Sequence, residues 1–121
     1  MYAPIFKIAS ASPGVQAALG VGPTRLYPFG EAPEGVALPY AVWQGIGGAP
    51  ENYLGGRPDM DQFALQVDVY GATAESVRQV GAALRNAIEL HAHITRWGGE
   101  SKDATTGHYR LTFDVDWHVE R

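Results

Sequence analysis

Asp114, Asp116 and His118 stand two residues apart near the end of the chain. If that run is a β-strand, its period of two sets all three side chains on one face, and carboxylates with an imidazole are metal-ligating groups. His91 and His93 would join them if their own segment paired alongside. The same spacing also describes an ordinary solvent-facing strand side, whose charges guard a sheet against unwanted pairing. The residue types stay open to both readings. Other chemistry has less support. The absence of cysteine excludes disulfides, thiolate metal sites and a cysteine nucleophile. Neither H-E-x-x-H nor a carboxylate-glycine calcium loop occurs. The pairs Gly47-Gly48, Gly55-Gly56 and Gly98-Gly99 match no phosphate-cradling motif and read as turns. No serine sits in a G-x-S-x-G elbow. Glu31, Glu34, Glu51, Asp59 and Asp61 fall in or beside loops, where solvation explains acids as well as proton transfer does. The expectation is a protein that is not an enzyme, with no catalytic residues, no metal and no cofactor. A small metal-dependent enzyme built on the Asp114/Asp116/His118 face is the alternative.

The elements that would position these groups follow from a chain of 121 residues and 13.0 kDa, a length suited to a single domain over residues 1–121. Apolar residues at 45% and charged residues at 18% are ordinary globular usage, so disorder is not expected. The 15 glycines and 8 prolines follow no fixed period, which excludes collagen and predicts many loops. A net charge of −4 has the wrong sign for a surface that displaces counterions from phosphates, so nucleic-acid specificity is not expected. No apolar run reaches the roughly 18 residues of a membrane span, and Met1–Lys7 lacks the pattern of a secretory leader. The expectation is a soluble protein without a membrane partner.

Along the chain, two short helices are predicted at 4–9 and 13–19, the second capped by Ser12, opened by Pro13 and stopped at Gly20. An edge strand follows at 24–29, because Pro28 cannot donate to a ladder. A strand at 39–46 places Tyr40, Val42 and Ile46 on one side and Ala41 and Trp43 on the other, so a second cover by another subunit is expected. Residues 47–61 read as one long loop, with Tyr53 and Leu54 either anchoring a neighbour or tucking under the loop itself. Residues 62–71 alternate as a clear strand. A helix from Thr73 to Leu90 carries the stripe Val77, Val80, Gly81, Leu84, Ala87 and Ile88. A strand at 91–97, a Gly98-Gly99 break and an alternating strand at 109–120 complete the order α, α, β, β, β, α, β, β. The fold expected is α+β, a mostly antiparallel sheet of about five strands covered on one side by one long helix, with short N-terminal helices.

The ordered set Arg25-Leu26-Tyr27-Pro28, Pro39-Tyr40-Ala41-Val42-Trp43-Gln44, Pro50-Glu51-Asn52-Tyr53-Leu54, Gln66-Val67-Asp68-Val69-Tyr70 and Thr73-Ala74-Glu75-Ser76 resembles the tailed-phage tail-completion proteins. That family is similar in fold to the tail terminator of phage lambda and includes tail-to-head joining proteins. The resemblance spans nearly the whole chain, from the Met1–Phe6 opening to the last strand, and is loosest between His91 and Gly107. It implies a structural morphogenesis protein that caps the finished tail tube as a homo-oligomeric ring, commonly a hexamer, ends tail elongation and offers a head-joining surface. Its implied partners are further copies of itself, the tail tube protein and the head-tail connector, in a virion tail or neck assembled in the host cytoplasm. A phage or a prophage would equally supply it. A neck adaptor or tail tube protein of related fold is a second alternative. Interface contacts are expected at Arg25, Tyr27, Trp43, Glu51, Asn52, Tyr53, Leu54 and Arg57.

Overall fold

The computed structural model describes residues 2–121; Met1, which opens the segment in the resemblance, lies outside the described residues. The elements are α1 (Ile5–Ser10), α2 (Pro13–Leu19), β1 (Leu26–Pro28), β2 (Tyr40–Pro50), β3 (Met60–Gly71), α3 (Ala74–Ile88), β4 (His93–Lys102) and β5 (Tyr109–Glu120). They form one five-stranded sheet in the order β1-β2-β3-β5-β4. β1 runs parallel to β2, and every other pairing is antiparallel. The fold is therefore α+β on a mixed sheet, with the element order that the residue pattern predicts.

The centre is the β3–β5 ladder, paired from Met60 opposite Glu120 to Gly71 opposite Tyr109. Directly opposed residues share a face, so Leu65, Val67 and Val69 meet Val115, Phe113 and Leu111 on the helical side. Val67, Val69 and Phe113 are fully buried there. α3 covers this face because its sequence prepares both its end and its stripe. The Thr73 hydroxyl accepts the Ser76 backbone N–H at 3.0 Å, and Glu75 sits in the positive first turn. All six expected stripe residues are buried. Gly81 lets the helix approach closely, since a Cβ there would lie 3.2 Å from the Leu111 side chain. On the β4 side the Trp97 ring leans on Phe113 at 5.2 Å between centroids.

α3 does not cover the sheet alone. Fifteen helical residues extend about 22 Å, whereas a twelve-residue strand extends about 40 Å, so further cover is required. α1 and α2 supply it, packing on α3 and burying Ile5, Ala9, Val15 and Leu19 completely. Even so, Trp43, Phe63 and Val119 remain only partly buried.

Four boundaries also differ from the sequence pattern. The expected loop over 47–61 shrinks to 51–59, because β2 continues to Pro50 and β3 begins at Met60. Gly47-Gly48-Ala49 has low strand propensity, but the register to Ala64, Phe63 and Gln62 is imposed by β3 after a bulge at Ile46. Gly48 is required: its φ is +150°, and a Cβ would run into the Gln62 carbonyl. β4 likewise passes through Gly98-Gly99 to Lys102, held by β5 across two irregularities, while His91 lies before it. α3 ends at Ile88 rather than Leu90, and β1 is limited to Leu26–Pro28.

The β2–β3 turn is fastened to the C-terminus. Arg121 donates from Nε and Nη2 to the two Asp61 oxygens at 3.0 and 2.9 Å, and from Nη1 to the Pro58 carbonyl at 3.0 Å. Its backbone N–H donates to the Asp59 carbonyl at 2.8 Å. The guanidinium hydrogen bonds hold the Asp61 carboxyl below its ordinary pKa. Two outcomes follow. Phe113→Ala removes a fully buried ring and should lower unfolding stability by about 3–5 kcal/mol in urea denaturation; a loss under about 1 kcal/mol would contradict its central place in the core. A carboxyl whose folded pKa is depressed stabilises fully above its unfolded value of about 4, and that contribution fades as pH falls through the folded value. Asp61→Asn should therefore lose stability at neutral pH yet show a shallower decline on acidification. Urea midpoints for both proteins at neutral and acid pH test this, and parallel acid limbs would contradict it.

Candidate functional site

Away from the helices the sheet presents a polar face. Asp114, Asp116 and His118 lie on it together, and His93 is opposite Asp116 in the register. They nevertheless take separate partners. Asp116 accepts from the Gln62 amide, Asp114 pairs with Arg96 at 3.4 Å, and His118 Nε2 lies 3.1 Å from Glu51 Oε1. Among the described residues no group of three His, Cys, Asp or Glu side chains converges as a metal cage. The face is instead a cross-strand network. Gln44 donates to Gln66 and Gln66 to Thr112, each at 3.2 Å, and Arg110 grips Asp68 with contacts of 2.8 and 3.2 Å. Asp114 Oδ1 is buried in this network and finds no hydrogen-bond partner among the described residues.

At one end of the face Tyr40 and Tyr70 stack at 5.1 Å and 22°, beside a cleft of about 480 Å³ edged by Lys102, Asp103, His108 and Arg110. Burial raises the pKa of both phenols. Asp103 is held low because the Thr105 and Thr106 backbone N–H groups donate to it at 2.7 and 3.3 Å, the bonds that shape the β4–β5 turn. The Arg110 charge is already met by Asp68. Both shifts move these groups away from neutrality, where proton transfer by a side chain is most efficient.

Of the eight expected interface residues, three lie in or beside β1 and β2 and five in the β2–β3 turn. Arg25 is half-buried and donates from Nε to the Pro39 carbonyl at 2.8 Å, tying β1 to the start of β2. Tyr27 is paired with Val42 and Trp43 with Pro28, so Tyr27 and Trp43 belong to opposite faces. Trp43 meets the Phe6 ring of α1 at 6.4 Å. Glu51, Asn52, Tyr53, Leu54 and Arg57 occupy the turn at the far end of β2 from Arg25. Tyr53 is 53% exposed and Leu54 100% exposed, so Leu54 does not tuck under its own loop.

Sequence patterns did not reveal an apolar groove of about 510 Å³ where the helical cover gives out. Tyr2, Phe29, Trp43, Gly45, Phe63 and Leu65 line it, from four separate chain segments. Gly45 leaves a gap in the sheet surface, and Phe29, following Pro28 at the end of β1, stays 66% exposed beside it. A glycine within an apolar strand beside an exposed aromatic is a local hint, but only the fold joins the two.

A family model described as "Tail completion protein gp17" matches residues 3–120. Comparison with curated proteins finds no match. A chain in the solved structure described as "Virion of native gene transfer agent (GTA) particle" is similar with a TM-score of 0.74 at 14% identity, over 97% of this chain and 92% of that one. At that identity the likeness concerns the fold. The family match, by contrast, runs from the approach to α1 through the end of β5, and the chain thus belongs to the tail completion protein gp17 family, with a structural role in the phage tail.

Proposed function

We propose that this chain, as a single tail-completion domain over residues 1–121, caps the completed tail tube as a homo-oligomeric ring, ends elongation and provides the surface to which the head connector joins. The observation that carries this reading is the pinned β2–β3 turn, which holds Leu54 wholly in solvent at the end of a sheet covered by helices on one face. A turn fastened by Arg121 presents its apolar tip instead of collapsing, as a docking element requires. A head-to-tail ring uses two different patches of each subunit and closes by rotation. The tip and the opposite strand edge at β1 are two such patches. Arg25 and Tyr27 serve at the β1 edge, Trp43 beside it, and Glu51, Asn52, Tyr53, Leu54 and Arg57 at the tip.

The partners are copies of this chain, proposed as a hexamer, together with the tail tube protein and the head-tail connector. The site of action is the virion tail or neck after assembly in the bacterial cytoplasm. The role is structural and not catalytic, and it involves neither nucleic-acid sequence recognition nor a membrane. Among the described residues no helix is long and apolar enough to cross one.

An early stop codon in this gene, in the particle that encodes it, should yield filled heads beside unattached tails of abnormal length under the electron microscope. Normal infectious particles would overturn the proposal. Purified chain that grows into long filaments would instead favour a tube-forming protein of related fold.

A further inference from the structure

We infer that the apolar groove receives Leu54 of a second copy, so that the hairpin tip of one subunit plugs the groove of the next. This rests on the ring reading above and names the contact that would build it. Leu54 is 100% exposed and therefore does not enter the groove of its own chain. A single exposed leucine is ordinary on a protein surface. This one differs because both flanks of its turn are fastened, Glu51 to His118 and Asp61 to Arg121, which holds the tip away from the body. The groove is the complementary feature. Its volume of about 510 Å³ compares with the roughly 150 Å³ that holds a benzene molecule, leaving room for Leu54 together with the half-exposed Tyr53 ring.

Charge also matches the two surfaces. Arg57 stands three residues after Leu54, and Glu31 two residues after Phe29 of the groove wall. Among the described residues neither Arg57 nor Glu31 takes part in an ion pair. These offsets reach at most about 10 Å and about 7 Å of chain, so Arg57 can meet Glu31 across the contact when Leu54 is seated. Because tip and groove are different parts of one chain, the contact runs head to tail and repeats from copy to copy.

The absence of cysteine permits a direct test. Leu54→Cys and Phe29→Cys alter side chains that are 100% and 66% exposed, so both variants should fold. Mixing the two, one carrying a size tag, should give a disulfide-linked heterodimer on mild oxidation, and a chain carrying both changes should give a ladder extending beyond two copies. Arg57→Glu and Glu31→Arg should each weaken self-association by about tenfold, measured by sedimentation, and their combination in one chain should restore it. If the unaltered chain assembles but neither the 54–29 link nor the charge rescue occurs, the groove contact is wrong and the ring reading stands. If the ladder ends at two copies, the head-to-tail arrangement is wrong. If the chain stays monomeric across a concentration series and on isolated tail tubes, with no links formed, both the contact and the ring reading fall.

Discussion

The β3–β5 ladder is the constraint on which the other elements depend. Twelve residues on each strand pair without interruption, and the strand period sorts their side chains into a dry face and a wet face. A one-residue slip of β3 against β5 would turn Leu65, Val67 and Val69 outward and drive Gln66 and Asp68 into the core. That penalty fixes the register. α3 then has only one surface on which its apolar stripe can be buried, and β2 and β4 inherit their positions from the two free sides of the ladder. Gly48 and the Gly98-Gly99 pair follow this register even though their own conformational preferences do not favour strand.

The same ladder produces the bare surfaces. It is longer than any helix in the chain, so its dry face outruns the helical cover and ends in the groove between Phe29, Trp43 and Phe63. Its wet face is satisfied by cross-strand hydrogen bonds among Gln44, Gln66 and Thr112 and by the Asp68–Arg110 pair. Such pairs on a partly exposed face specify alignment more than they add stability. The ladder also brings Arg121 beside the β2–β3 turn, where its guanidinium ties Asp61 and the Pro58 carbonyl to the end of β5. For a protein of the tail completion family, whose work is assembly, what matters is where apolar surface is left uncovered and how firmly it is held.

Several features were legible in the residues alone because they depend on local periodicity and local hydrogen bonding. The alternation of 62–71 and 109–120, the stripe from Val77 to Ile88, and the caps at Ser12 and Thr73 each reappear in the structure. So does the shared face of Asp114, Asp116 and His118, since a period of two needs no knowledge of neighbours. The ordered motifs from Arg25 to Ser76 also sufficed for the family resemblance, which the match over residues 3–120 supports.

Other features were decided only by segments distant in sequence. That Asp116 would meet Gln62, Asp114 meet Arg96 and His118 meet Glu51 depends on which strands lie alongside β5, and this separates a potential ligand set into unrelated pairs. The extension of β2 through Gly47–Pro50 comes from β3 supplying hydrogen-bond partners to residues with little strand preference of their own. The groove requires Tyr2, Phe29, Trp43 and Phe63 to converge from four segments, and no period in the chain announces that convergence. Local residue pattern was enough to specify the elements and their faces, because backbone geometry acts over a few residues. Tertiary packing alone decided the partners, the boundaries of the glycine-rich strands and the uncovered apolar surface, because each depends on the free energy of contacts between parts of the chain far apart in sequence.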